Sequence, residues 1–238
     1  MFELSLCVTG YGEQYIKKNS KALKSKILDC GGVFSIYEKG QFVYYLIVAN
    51  QNEAKVKKLV LDFICDCVLN IYKRREISKA IKYDFPKDIK YFALLQALIN
   101  FDIECDYNYI CQKIDFSSGE FYMYSFYLFK CALLREKWSQ LIAITNQNAK
   151  LLNVEENYLD VLRFLIEGIT QKNSIEVAVE ENCFVVKSSN ETFHLTSYKS
   201  LVDYIIKHNP KKLTLKNIDK NFITFMKKLF LTRVVVSM

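Results

Sequence analysis

The chain has 238 residues, of which 51% are hydrophobic and 14% aromatic, with only seven glycines and two prolines. That is ample material for a core and excludes intrinsic disorder, while scarce Gly and Pro exclude a sandwich of many short strands and favour long helices with short loops. The formal net charge of +7 arises entirely after residue 198, where nine Lys/Arg face only Asp203 and Asp219, so the preceding residues are neutral and the basic end is the part suited to an anionic partner.

In chain order, Phe2 to Val8 alternates apolar with small or polar residues and predicts a strand. Gln14 to Leu28 carries Tyr15, Ile16, Leu23 and Ile27 at helical spacing, and Gly31-Gly32 ends that helix. Val33–Tyr37 and Phe42–Ala49 read as a hairpin joined through Glu38-Lys39-Gly40. Asn50 and Glu53 have capping spacing for the next helix. Its apolar face is Val56, Leu59, Val60, Phe63, Ile64, Cys67, Val68 and Ile71, and its polar face Lys55, Lys58, Asp62, Asp66 and Lys73. Lys73-Arg74-Arg75 is expected to close it, where positive charge complements the dipole.

Pro86 is placed to open a helix running through Tyr91–Leu98. Phe121 to Leu152 reads as a long aromatic-rich helical region, and Asn153 with Glu156 as the cap of a helix containing Tyr158, Leu159, Leu162, Phe164, Leu165 and Ile169. From Asn173 the period changes. Ile175–Val179, Cys183–Lys187 and Thr192–Thr196 predict three strands, turning at Glu180-Glu181-Asn182 and Ser188-Ser189-Asn190. Ser197 caps a short helix, Leu201 to Lys207, and Pro210 ends it. Lys212–Lys216 and Arg233–Val236 are strands around a helix faced by Ile218, Phe222, Phe225, Met226 and Leu229, a crossover unit that is most simply parallel. No internal repeat or low-complexity linker is visible.

The eight cysteines sit mostly in apolar runs, as buried thiols do. The N-terminus carries Glu3 and no leading Lys or Arg, which does not read as a signal peptide. No window reaches the roughly 18 to 20 apolar residues of a membrane span; Leu59–Tyr72 is interrupted by Asp62, Asp66 and Asn70. The expectation is a cytoplasmic protein with reduced thiols.

Three stretches carry a resemblance: Leu59–Ile64 continuing to Tyr72-Lys73-Arg74-Arg75; Phe126–Lys130 followed by Trp138 and Tyr158–Ile166; and Asn209–Asn217 with Lys228-Leu229-Phe230 and Thr232-Arg233-Val234. In these the chain resembles the YtxC-like family of sporulation-associated proteins of endospore-forming bacteria. The last stretch is the most specific. The resemblance implies a cytosolic role in sporulation in a low-GC Gram-positive bacterium and brings no reaction and no catalytic residues. Cysteines expected just after the Arg-Val ending are missing from Val234–Met238, so no metal or redox role carries over to that tail.

No motif carries chemistry. Cys65 and Cys67 point apart on a helix and have no second ligand pair at suitable spacing; Cys105 and Cys111 have only Asp102, Glu104 and Asp106 nearby. His194 and His208 make a Cys–His nucleophile formally available, but no flanking residue would activate either thiol partner. Gly10-Tyr11-Gly12 and Gly31-Gly32 lack the rest of a phosphate loop. Asp62/Asp66 and Glu180/Glu181 read as solvated carboxylates. Phe121–Phe129 lacks the interleaved bases of a stacking platform and reads as a helix buried on most sides.

The sequence therefore predicts an α+β fold: a small N-terminal α/β unit (1–52), a helical region (53–172) and a C-terminal mixed sheet with covering helices and a basic surface (173–238). It predicts no catalytic residue, no metal and no cofactor. The anion-binding candidates are Lys207, Lys211, Lys212, Lys216, Lys220, Lys227, Lys228 and Arg233. The expected function is a sporulation-associated, non-enzymatic binding or scaffold protein with a protein partner. The first alternative is a nucleic-acid-binding protein that uses the basic segment against phosphates; a second is an enzyme whose cleft residues are scattered beyond recognition by spacing.

Overall fold

The structure is a computed structural model describing residues 1–9, 13–81, 89–181, 183–189 and 191–237. The Gly10–Gly12 motif, the helix start at Pro86 and the turn residues Asn182 and Asn190 lie outside the described residues. The fold is α+β with two mixed sheets, and the chain divides into two units, Met1–Lys79 with Glu104–Gln140 and Ala80–Ile103 with Leu141–Met238. The helical middle is thus shared between the units.

In the first unit, β1 (Phe2–Thr9) lies between β3 (Phe42–Ala49), antiparallel to it, and β4 (Glu120–Tyr122), parallel to it; β2 (Val33–Lys39) pairs with the far side of β3. Alternation along β3 sends Val43, Tyr45 and Ile47 inward against Leu4, Leu6 and Val8. Helix α1 (Glu13–Asp29) ends as expected. Gly31 has φ of 76°, its N–H bonds the Leu28 carbonyl, and the Gly32 N–H bonds that of Ile27, the paired closure that a left-handed glycine permits.

Helix α2 (Glu53–Cys67) buries Val56, Val60, Phe63, Ile64, Cys65 and Cys67. Its start differs from the capping expectation. Asn52, not Asn50, precedes the first turn, with φ of 54° and no capping bond; its amide is bonded to the Cys30 carbonyl instead. Its end differs more. The helix continues through a π-helical stretch, Val68–Lys73, into α3 (Arg74–Ala80), and the Arg74 N–H bonds the Leu69 carbonyl five residues back. One wider turn rotates the downstream helix by about one residue, ~100°. Lys73 therefore leaves the polar face and is buried, at 1% exposure.

The aromatic region is also corrected. Glu120–Tyr122 is a strand, followed by one helical turn, α6 (Met123–Ser125), and a second π-helical stretch, Phe126–Lys130. Phe121, Phe126 and Tyr127 are buried, whereas Tyr122, Tyr124 and Phe129 are exposed. Helices α5 (Ile103–Lys113) and α7 (Ala132–Gln147) flank this segment in sequence.

In the second unit, α4 (Ile89–Asn100) and α8 (Glu155–Glu167) pack together. Helix α8 is preceded by Val154 rather than capped by Asn153, and Phe164 points to solvent. The sheet runs β7-β6-β5-β8-β9, with β5 (Ile175–Glu180), β6 (Cys183–Ser188) and β7 (Glu191–Leu195) a meander, and β8 (Leu213–Lys216) parallel to β5 and to β9 (Val234–Ser237). The parallel crossover is as expected. Helix α9 (Tyr198–His208) starts where the Ser200 N–H bonds the Ser197 hydroxyl, and α10 (Lys220–Phe230) where Asp219 accepts from Asn221 and Phe222. The predicted face of α10, with Ile218 ahead of it, is buried throughout.

Candidate functional site

Parallel pairing sets Ile175, Leu213 and Val234 side by side, so the residues entering β5, β8 and β9 share one end of the sheet. Lys172 bridges to Pro210, its N–H bonding the His208 carbonyl, and the Lys211 N–H returns to the Lys172 carbonyl. Helix α9 delivers Lys207 and His208 to this end, and α10 delivers Lys227 and Lys228, because each runs back toward the start of the next strand. Six of the eight expected bases thus gather here: Lys207, Lys211, Lys212, Lys227, Lys228 and Arg233. Lys216 and Lys220 sit at the other end of β8, and Lys216 is bound to Glu176 at 2.9 Å.

Two of the gathered bases are already engaged. Lys228 bonds Glu155 at 3.1 Å, holding that carboxyl below its usual range. Arg233 donates to Asn209 Oδ1 at 2.7 Å and to the Pro210 carbonyl at 3.2 Å, and lies over the Phe230 ring. It therefore organises the loop rather than facing a ligand. Lys207, Lys211, Lys212 and Lys227 are exposed and have no side-chain partner among the described residues, and Lys172 joins them. Lys172 escapes a reading that locates charge by sequence segment; it precedes β5 and reaches the site only through the parallel bridge to Pro210. Acids are also near, since Glu167 faces Arg233 and Glu191 faces His208.

His208 is half-buried, stacks on Tyr204 at 3.8 Å and bonds its carbonyl through Nδ1. Burial pushes its imidazole below the ordinary value of 6.5, and Lys172 and Lys207 push the same way, against Glu191 and the bond to Tyr204. The unfolded chain therefore binds the proton more readily, so stability is complete above pH 6.5 and declines as pH falls toward the lower folded value. His208→Gln is expected to flatten this slope, read by urea titrations at several pH values between 5 and 7.5.

Asp62 and Asp66 are not merely solvated. Tyr107 and Lys58 bond Asp62. Tyr15 and Asn70 bond Asp66, both at 2.6 Å. Cys183 Sγ lies 3.4 Å from His194 Nδ1, while its S–H donates to the Glu180 carbonyl at 3.1 Å. Cys65 meets Cys111 rather than Cys67, Sγ to Sγ at 3.5 Å. No group of three metal-binding side chains occurs among the described residues.

The largest feature hidden from sequence is the surrounding of Asp106 on α5. This carboxylate is fully buried; Oδ2 accepts from Lys73 Nζ at 2.7 Å and Trp138 Nε1 at 2.9 Å, and Oδ1 from Lys137 Nζ at 2.9 Å. Lys137 is 40% exposed, so the cluster touches solvent on one side. Lys73 also lies over the Trp138 ring. Both carboxylate oxygens are committed within the unit, which makes this a structural anchor. No described helix is long and apolar enough to cross a membrane. In comparisons with known proteins, the chain matches no family model, no curated protein and no solved structure.

Proposed function

We propose that the chain is a non-enzymatic binding protein that meets a polyanion, the phosphate backbone of a nucleic acid, through the basic end of its second unit. The observation that supports this is the set Lys172, Lys207, Lys211, Lys212 and Lys227, exposed and unpaired among the described residues, on backbone fixed by the β5–β8–β9 pairing. Ammonium groups on flexible stems act as point charges. They suit phosphates in a row and do not read base edges. Lysines at helix C-termini also complement the dipole, which accounts for Lys207 and Lys227 in part. It does not account for Lys172, Lys211 and Lys212, which lie outside the helices.

Duplex DNA and single-stranded RNA binding is expected to weaken steeply with salt, with a log–log slope of about −0.9 per phosphate neutralised on duplex DNA. Lys172→Gln with Lys211→Gln and Lys212→Gln should reduce that slope by roughly 3 units, whereas Lys216→Gln with Lys220→Gln should leave it nearly unchanged. An NMR titration of His208 should shift upward on binding, because phosphate offsets the push from Lys172 and Lys207. No binding at low salt, or equal loss in both variant sets, defeats the reading; binding to an acidic polypeptide but not to nucleic acid transfers it to a protein partner. The resemblance to YtxC-like proteins supports a setting in sporulation.

A further inference from the structure

We propose that Cys65 and Cys111 form an intramolecular disulfide when the protein meets a hydroperoxide, making the α2–α5 contact of the first unit a reversible oxidation site. The thiols lie in van der Waals contact, Sγ to Sγ 3.5 Å, although 46 residues separate them along the chain. Cys65 is fully buried on α2, and Cys111 on α5 is half-buried. Forming the bond requires the sulfurs to close by about 1.5 Å, within reach of side-chain rotation. Among the described residues no other pair of cysteines is in contact. Cys105, exposed six residues before Cys111, therefore provides an internal control.

The order of events is set by access. Solvent reaches Cys111, so its thiolate attacks the peroxide: an S–O bond forms, the O–O bond breaks, and the departing oxygen leaves as an alcohol or water after taking a proton. Cys111 is then a sulfenic acid and the peroxide has been reduced. The Cys65 sulfur next attacks the Cys111 sulfur, the S–S bond forms, the S–O bond breaks, and the hydroxyl leaves as water with the Cys65 proton. Two thiols and one hydroperoxide give one disulfide, one alcohol and one water.

Cys65 suits the second role. Burial and the contact with Cys111 push its thiol up, so it stays protonated and inert until a sulfenic acid is formed beside it. The surroundings of Cys111 are also ordered. Tyr107, one helical turn before Cys111, has its hydroxyl tied to Asp62 and to Lys58, the latter at 3.0 Å.

The test uses the full chain treated with hydrogen peroxide, then alkylated and digested without reductant. Mass spectrometry is expected to find the Cys65 peptide joined to the Cys111 peptide, with two fewer titratable thiols, restored by dithiothreitol. In Cys65→Ala, Cys111 is expected to react with dimedone as a persistent sulfenic acid; in Cys111→Ser, Cys65 is expected to remain a free thiol. Cys111 oxidised to sulfinic acid with Cys65 still free in the wild-type chain, or joined instead to Cys105 or to a second chain, overturns the proposal.

Discussion

Asp106→Ala is expected to lower the melting temperature on the order of 10 °C. The substitution leaves the Lys73 ammonium, 1% exposed, without its carboxylate, and strands the Trp138 N–H as well. Breaking a buried pair from one side costs about 3–5 kcal/mol. Because the loss comes from a buried ammonium deprived of its carboxylate, removing both charges should be milder than either single change predicts. Lys73→Met combined with Asp106→Leu is expected to recover much of the difference, leaving about 1–3 kcal/mol for the unpaired indole N–H. Thermal unfolding by circular dichroism on the three variants checks this. A single variant as mild as an ordinary surface change, or strictly additive losses, would show that water already reaches the cluster.

Asn209→Ala is expected to cost about 2–4 kcal/mol. Asn209 is buried at the C-terminus of α9 with φ of 37°, and its side-chain amide donates to the carbonyls of Ile166 and Ile169 at 3.0 and 2.6 Å. Its Oδ1 accepts from Arg233. One side chain thus ties the end of α8 to the loop entering β8 and to the turn entering β9. Alanine removes all three bonds and tolerates a positive φ less well than asparagine does. Asn209→Gly removes the bonds without that strain and should be about 1–2 kcal/mol milder. Both variants loosen the loop carrying Lys211 and Lys212. A measurable drop in affinity for polyanions should therefore accompany the stability loss, even though Asn209 carries no charge. Urea unfolding and a salt-controlled binding titration on the same preparations separate the two effects.

The second unit was the more legible part of the sequence. Alternation from Ile175 onward, the Ser197 cap and the apolar stripe of α10 are local signals, each confined to a few neighbouring residues, and the structure reproduces them. What failed was non-local or depended on backbone irregularity. Glu120–Tyr122 is a strand because β1 offers it an edge, a fact carried by Ser5–Cys7 more than a hundred residues earlier. Asn50 and Asn153 have the right spacing for caps but not the right position; the capping pattern tests two residues three apart and ignores where the chain must enter the fold. Helical periodicity assumes a uniform turn and so assigns Lys73 to the polar face, whereas the wide turn buries it. The basic site was half legible: composition located the charge, but only strand pairing could add Lys172, set Lys216 apart and show Arg233 already engaged.

The wide turn at Val68–Lys73 makes chain length itself a determinant there. Length changes are usually absorbed in loops, yet one residue fewer in this helical stretch would restore the regular pitch and swing Lys73 toward water, emptying the niche against Trp138 and carrying Ile77 out of register. Relatives that share this core should therefore keep the residue count between Phe63 and Ile77 more strictly than the identities of the side chains in between.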